Sequence, residues 1–509
     1  MKIRQRLSIR VILVLTALFF SACSSDGKGA AERPNFIILM SDNQSWNHLG
    51  SYGDPVVRTP NIDKVSEQGV RFSNAFASAP SCTPARASML TGQDIWRLEE
   101  GANLHGILPG KFQVYPDLLE DAGYLVGYEG KGWGPGNWKD AGRSRNPAGN
   151  KYRSFEEFYG ELESGQPFMY WFSSRNPHRP YQEDGGKKAN IDVDKIVVPP
   201  YLPDSPDSRS DIADYYAEIQ DFDDEVGAFV SELEALGEVE NTVIIVVSDN
   251  GWQMPRGLAN LYDMGTRIPM IISMPQRFRG ARVIDDFVSL NDFAPTFLEL
   301  AGVPVPDDMT AKSLVNILES EKIGIIEPER DFIVTARERH AYVRNNDTGF
   351  GGRAIQTRDF LYIRNYDHEN WPAGDPPLFG DVDAHMLEFD CPTKMHILVN
   401  RETPEGRYFF DLAFSKRPQE EFYDLSKDPY QLKNVAEDES YEAAKEKMAQ
   451  RMNDFLEETG DPRVVGGDMK WLGAKYYATR DFNPKPSEAA QELLGLEEEY
   501  FYEVLEPEN

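Results

Sequence analysis

Two apolar runs constrain this chain more than any other feature in it. Asn35-Phe36-Ile37-Ile38-Leu39-Met40 and Val243-Ile244-Ile245-Val246-Val247 are continuous rather than alternating, and each runs straight into Ser-Asp-Asn, at Ser41-Asp42-Asn43 and at Ser248-Asp249-Asn250. A strand that is apolar on both faces must be covered on both faces, which is the condition inside a parallel sheet. Parallel neighbours need crossover helices, and the stretch before the second run offers one. From Asp211 to Leu236, Tyr215, Ile219, Phe222, Val226, Phe229, Val230 and Leu233 recur at mostly three- and four-residue steps. The expected fold class is therefore α/β, with a large mixed, mostly parallel sheet sandwiched by helices.

Open sheets of this kind keep ligands at the carboxyl ends of their strands. Taken singly, an Asp-Asn pair is more often a turn than a ligand. Finding one at the end of each of the two clearest strands favours a shared site, and Asp42, Asn43, Asp249 and Asn250 offer only oxygen donors. That set suits a hard cation, and with no His or Cys pair at zinc spacing beside it, calcium is the expected ion. Tyr124 to Tyr128 reads as another strand and delivers Lys131 within Glu129-Gly130-Lys131-Gly132-Trp133. Pro167 to Phe172 reads as a further one and delivers Asn176-Pro177-His178, whose histidine is one of only seven and is expected to act as ligand or proton donor.

A short helix is expected where Ser81-Cys82-Thr83-Pro84-Ala85-Arg86 leads to Gly92. Pro84 fits the first turn, Gly92 reads as the stop, and Cys82 lies at or near the N-cap, with Arg86 a turn later on the same face. A lone cysteine is usually a small buried hydrophobe, but the positive end of a helix suits an anion.

Cys82-Thr83-Pro84-Ala85-Arg86 resembles the Cys-x-Pro-Ser/Ala-Arg signature of the type I sulfatases of the alkaline phosphatase superfamily. Further landmarks of that family follow in order: Thr59-Pro60-Asn61-Ile62-Asp63, Asn176-Pro177-His178, Gly265-Thr266-Arg267-Ile268-Pro269 and Asp292 with Pro295-Thr296. Ser-Asp-Asn, Asn260-Leu261-Tyr262 and Asn176-Pro177-His178-Arg179 look closest to the heparan N-sulfatase (sulfamidase)-like branch. The resemblance implies an alkaline-phosphatase-like sheet and a small C-terminal α+β subdomain with an antiparallel sheet. It also implies oxidation of Cys82 to formylglycine (3-oxoalanine) by a maturation enzyme. A calcium ion would be held by Asp42, Asn43, Cys82, Asp249 and Asn250, and Arg86, Lys131 and His178 would be catalytic beside Cys82. The implied activity is hydrolysis of sulfate esters or sulfamates of sulfated sugars, glycosaminoglycan or other polysaccharide fragments.

Three positions depart from the family's pattern. Asn43 stands where an Asp is usual, Trp133 where a His is usual, and Leu258 where a basic residue is usual. Arg256 and His105 are the expected substitutes, and His340 and Arg353, with Arg337 and Arg339, are expected to face the sugar. Two other readings stay open: a phosphonate or phosphodiester hydrolase of the same superfamily, and a non-catalytic protein that binds sulfated glycans.

Lys2, Arg4, Arg6 and Arg10 precede the apolar run from Val11 to Phe20, then Ser21-Ala22-Cys23, which reads as an export signal too short for a comfortable membrane span. It resembles a bacterial lipoprotein signal, so the division expected is signal 1–22, tether 23–32, catalytic domain 33–325 and C-terminal subdomain 326–509. The expected address is the periplasm or outer membrane, with Cys23 lipidated as a possible anchor. The chain carries 84 acidic against 53 basic residues, a net −31 that excludes nucleic acid as a partner. It also means that an acidic substrate must be met by a local cluster of cations.

Overall fold

Both Ser-Asp-Asn runs sit at the centre of one sheet. The structure, a computed structural model, describes residues 33–344, 348–381, 391–478, 491, 492, 494 and 495. The expected signal, tether and Cys23 lie outside the described residues. The main sheet contains β1 (Asn35–Ser41), β2 (Val70–Phe76), β3 (Leu125–Gly130), β4 (Asn150–Lys151), β5 (Phe168–Ser173), β6 (Thr242–Ser248), β7 (Met270–Ser273) and β8 (Arg282–Ser289), in the order β4-β3-β5-β1-β6-β7-β2-β8. Only the pairings of β7 are antiparallel. The mixed, mostly parallel sheet expected from the two runs is the one observed.

The continuous apolar pattern of β1 has a direct cause. Phe36, Ile38 and Met40 enter one core with the helices Cys82–Thr91, Tyr115–Asp121 and Phe293–Ala301, while Ile37 and Leu39 enter the other with Pro60–Gln68 and Pro206–Leu236. All five side chains are fully buried, each worth roughly 1.5–3 kcal/mol of transfer free energy. The long helix starts five residues earlier than its apolar periodicity shows, because Ser205 caps it by accepting from the Ser208 N–H and Pro206 needs no partner.

Register then decides the site. Ser41 lies opposite Ser248 in the β1–β6 pair, and Gly130 lies opposite Ser173 in the β3–β5 pair. Asp42, Asp249, Lys131 and the loop to His178 therefore leave the sheet along one edge.

A second, antiparallel sheet has the order β12-β11-β10-β9, from β9 (Phe332–Arg337), β10 (Gly352–Thr357), β11 (Phe360–Asn365) and β12 (Glu420–Asp424). The stretch from Arg353 to Tyr366 reads in sequence as one exposed strand. It is instead two strands, covered on both faces. Ile355, Tyr362 and Phe422 pack with Met448 and Met452 of the helix Glu442–Glu458, and Ala354, Leu361 and Ile363 pack with Leu261 and Tyr262. This packing joins the second sheet to the main one, and the described residues from Arg33 onward belong to one compact unit. The sequence reading also lacks β8, whose Arg282, Asp285 and Asp286 obscure a strand pattern. Arg282 is buried and donates to the carbonyls of Ile317 and Leu318, and Asp286 accepts from the N–H groups of Ile326 and Glu327. Among the described residues, no helix is long and apolar enough to cross a membrane.

Candidate active site

The signature helix runs from Cys82 to Thr91, with Ser81 as N-cap and Gly92 closing it in the left-handed conformation at φ 63°. Its first turn points at the ends of β1 and β6. One ligand atom each of Asp42, Cys82 and Asp249 lies within 4.8 Å of the others, and all three residues are buried. Cys82 Sγ is 3.6 Å from Asp42 Oδ1 and 3.7 Å from Asn43 Oδ1. Asn43 adopts φ 69°, a left-handed conformation that Asn tolerates better than most residues, and its N–H donates to Asp249 Oδ1 at 3.1 Å.

Cations converge on these carboxylates. Arg86 is fully buried, with Nε 2.8 Å from Asp249 Oδ2 and a terminal nitrogen 3.7 Å from Asp42 Oδ2. Its other nitrogen donates to the Gly132 carbonyl at 2.7 Å and to Ser173 Oγ at 2.6 Å. Lys131 Nζ donates to Asp42 Oδ2 at 2.7 Å. Burial alone would raise the Asp42 carboxyl, but the charges of Lys131, His178 and Arg86 outweigh it and hold the group far below the usual carboxylate range. Burial opposes the charge on Lys131, yet Asp42 keeps its ammonium above the ordinary value. The Cys82 thiol is pushed well up, first by burial and then by Asp249, so a bare cysteine here is held as a neutral thiol.

His178 lies at the same edge. Its Nδ1 faces the Arg179 carbonyl, which requires the proton on Nδ1 and leaves Nε2 as the basic nitrogen. Burial lowers its pKa, partly countered by Asp42, so the ring is neutral at pH 7.

The donor set fits a cation. Asn250 Nδ2 donates to Asn43 Oδ1 at 2.5 Å, while the buried Oδ1 of Asn250 has no hydrogen-bond partner. An orphaned amide oxygen beside two buried carboxylates is a ligand position for a hard metal, and calcium is compatible with an all-oxygen set of this kind.

The remaining candidates divide. Arg256 is not free to replace the basic residue absent at Leu258. Its guanidinium donates to the carbonyls of Leu412 and Gln431 and stacks 3.8 Å from the Tyr262 ring centroid, so it anchors the C-terminal segment. Arg353 is fully buried in β10, where Glu338 and Asp461 take its guanidinium. Arg337 pairs with Asp381, and Arg339 donates to the Ala474 carbonyl. None of these four arginines projects from the protein surface, because each is at most 4% exposed.

Of the two histidines, His340 reaches the signature helix with its ring, while the His105 ring packs against Tyr476 with centroids 4.9 Å apart. His340 Nδ1 lies 2.9 Å from Ser81 Oγ, the residue before Cys82. The backbone N–H of His105 donates to the Pro135 carbonyl, which also accepts from Thr83 Oγ1. Trp133, at the place of the family's histidine, is buried in the main core. Sequence reasoning had no signal for Ser173 as the Arg86 anchor or for Ser81 as the partner of His340, since both depend on contacts across long sequence separations.

At the strand ends of a mostly parallel sheet, two carboxylates, two amides, three basic groups and a helix N-terminus meet, an arrangement suited to binding an anion beside a cation. The sulfatase family model matches residues 34–303, more than half of the chain, and the chain belongs to that family. It is a sulfuric ester or sulfamate hydrolase. The model for the C-terminal part of N-sulphoglucosamine sulphohydrolase matches residues 255–371, in keeping with the sulfamidase-like branch. Human N-sulphoglucosamine sulphohydrolase is 27% identical over 488 residues, covering 85% of this chain and 92% of the human protein. An ulvan-active sulfatase from Formosa agariphila is 26% identical, covering 84% and 76% respectively. Among solved structures, BT4656 in complex with D-glucosamine-2-N,6-O-disulfate is similar with a TM-score of 0.60 at 18% identity, covering 86% of this chain and all of that one. The phosphonate monoester hydrolase of Agrobacterium radiobacter is similar with a TM-score of 0.59 at 18% identity, covering 85% and 97%. These structural likenesses show the fold.

Proposed function

We propose that this protein removes sulfate from sulfated sugars, glycosaminoglycan or related polysaccharide fragments carrying O-sulfate or N-sulfate, using Cys82 in its formylglycine form and a calcium ion. The observation that carries the reading is the Cys82 cluster itself. A residue matching the sulfatase signature shares a pocket less than 5 Å across with Asp42 and Asp249, under Lys131 and Arg86. The relatives named for glucosamine N-sulfate and ulvan support a saccharide substrate.

Asp42, Asn43, Asp249 and Asn250 would hold the metal, and the hydrated aldehyde beside it would supply an acidified hydroxyl as nucleophile. Lys131, 2.7 Å from Asp42, is placed to take a sulfate oxygen as well. His178, neutral with Nε2 free of its proton, would bind the sulfate group and, once protonated, deliver a proton to the departing oxygen or nitrogen. Arg86, with Nε 2.8 Å from Asp249 Oδ2, would hold that carboxylate in place beside residue 82. The helix N-terminus favours negative charge at position 82.

We further read 33–325 as the catalytic domain and 326–509 as its subdomain. Export to the periplasm or cell surface with a lipid on Cys23, and activation by a maturation enzyme, belong to the same reading. The test is a peptide mass for Cys82 from the native host, where formylglycine lies about 18 mass units below cysteine, together with turnover of an aryl sulfate and of sulfated glucosamine. Cys82→Ala should retain substrate binding and lose turnover. Full activity in a protein whose Cys82 remains a thiol would end the proposal. The likeness to a phosphonate monoester hydrolase favours running a phosphonate ester beside the sulfate; faster phosphonate turnover would reassign the substrate.

A further inference from the structure

A cleft of about 700 Å³ opens at the ends of β3, β4 and β5, next to the candidate active site. It shares walls with that site. Gly130, which precedes Lys131, lines it; so does Asn176, whose carbonyl accepts the Asp42 N–H at 2.9 Å, and so does Ser173, which receives Arg86. Its volume is in the range of ligand pockets.

Lys151, Arg153 and Arg175 line the same cleft, and all three are exposed. Among the described residues, none of the three side chains has an ion pair or hydrogen bond. Several arginines elsewhere on the surface are paired, as Arg145 is with Glu120, Arg209 with Asp204, Arg277 with Glu319 and Arg451 with Asp331. In a chain of net charge −31, three cations without a partner lining one cleft make a local positive patch that a bound anion would complete. The two carboxylates in the cleft are already engaged. Glu129 accepts from the Tyr170 hydroxyl at 2.8 Å and Glu225 from the Ser174 hydroxyl at 2.5 Å. Their remaining lone pairs suit the hydroxyls of a sugar ring.

We propose that this cleft is a subsite for the sugar next to the one that loses sulfate, and that Lys151, Arg153 and Arg175 bind an acidic group on that sugar, a carboxylate or a second sulfate. The proposal rests on the sulfatase reading of the neighbouring site, and it makes the substrate an acidic oligosaccharide rather than a neutral one. Protein-wide charge repels such a chain at long range, so recognition must come from a local basic patch of this kind.

The test uses the full, matured enzyme and three disaccharides that share one sulfated glucosamine. The neighbouring sugar carries a carboxylate in the first, a sulfate in the second, and neither in a carboxyl-reduced third. The wild type should prefer at least one acidic disaccharide over the neutral one by about tenfold in kcat/KM, carried by KM. In Arg153→Ser/Arg175→Ser, and in the same double variant with Lys151→Ser, that ratio should fall toward one. Collapse of the carboxylate ratio, the sulfate ratio or both supports the subsite and names its ligand. A wild-type ratio near one, or a ratio that the variants leave intact, overturns it. A wild type that turns over none of the three while Cys82 is oxidised would instead refute the sulfatase reading.

Discussion

Arg86 offers the sharpest check on the electrostatics of the site, and the substitution to make is Arg86→Met, which keeps most of the volume and removes the charge. At an effective dielectric of about 20, the Arg86–Asp249 pair at 2.8 Å is worth about 6 kcal/mol and the Arg86–Asp42 pair at 3.7 Å about 4.5 kcal/mol. Desolvation of the buried ions offsets much of this, and deleting one member of a buried pair costs about 3–5 kcal/mol in measured cases. That is the loss expected in metal-free buffer. A divalent cation between Asp42 and Asp249 would compensate the orphaned carboxylates. What would then be missing is mainly the pair of hydrogen bonds to Gly132 and Ser173, about 1–3 kcal/mol together. Calcium should therefore lessen the cost of Arg86→Met by about 2 kcal/mol, and by linkage the variant should bind calcium about thirtyfold more tightly than the wild type. Urea midpoints of both proteins in chelator and in excess calcium measure the first quantity, and calorimetric titration the second. Equal destabilisation with and without calcium would mean that these carboxylates do not share a metal, and the donor set would have to be reassigned.

Two further outcomes follow from other parts of the fold. His48 is buried, and burial pushes its imidazole down to about 4 from 6.5, with Asp54 countering in part. Between those values the unfolded chain binds the proton and the native one does not, so stability should be full above pH 6.5 and fall by about 3 kcal/mol as the pH drops toward 4. His48→Gln should flatten that part of the denaturation profile, and an unchanged slope would discount His48. Gly130 adopts φ +79°, and a Cβ there would sit 2.1 Å from the Ser173 carbonyl oxygen. Gly130→Ala should cost about 2–5 kcal/mol from left-handed strain and overpacking. It should also cut kcat more than stability alone explains, because it displaces Lys131; wild-type kcat in the folded variant would argue against that placement.

Much of this protein was legible residue by residue. Short continuous apolar runs ended by turn residues suit strands buried on both faces, because a strand with one face in water would expose half of Phe36 through Met40. Cap chemistry marked the signature helix to within a residue, since Pro84 and Gly92 act through their own backbones. Strand ends therefore located Asp42, Asp249, Lys131 and His178 before any fold was known. What the sequence alone could not decide was the fate of each charged side chain. Arg256 and Arg353 read as substrate contacts, yet packing against the second sheet and the segments around Leu412, Gln431 and Asp461 uses both of them internally. His340 meets Ser81 from 259 positions away, and three unpaired cations from two loops and a two-residue strand converge on one cleft. Local periodicity determines an element and its buried face; which partner a long polar side chain reaches depends on which elements tertiary packing brings within about 3 Å of it.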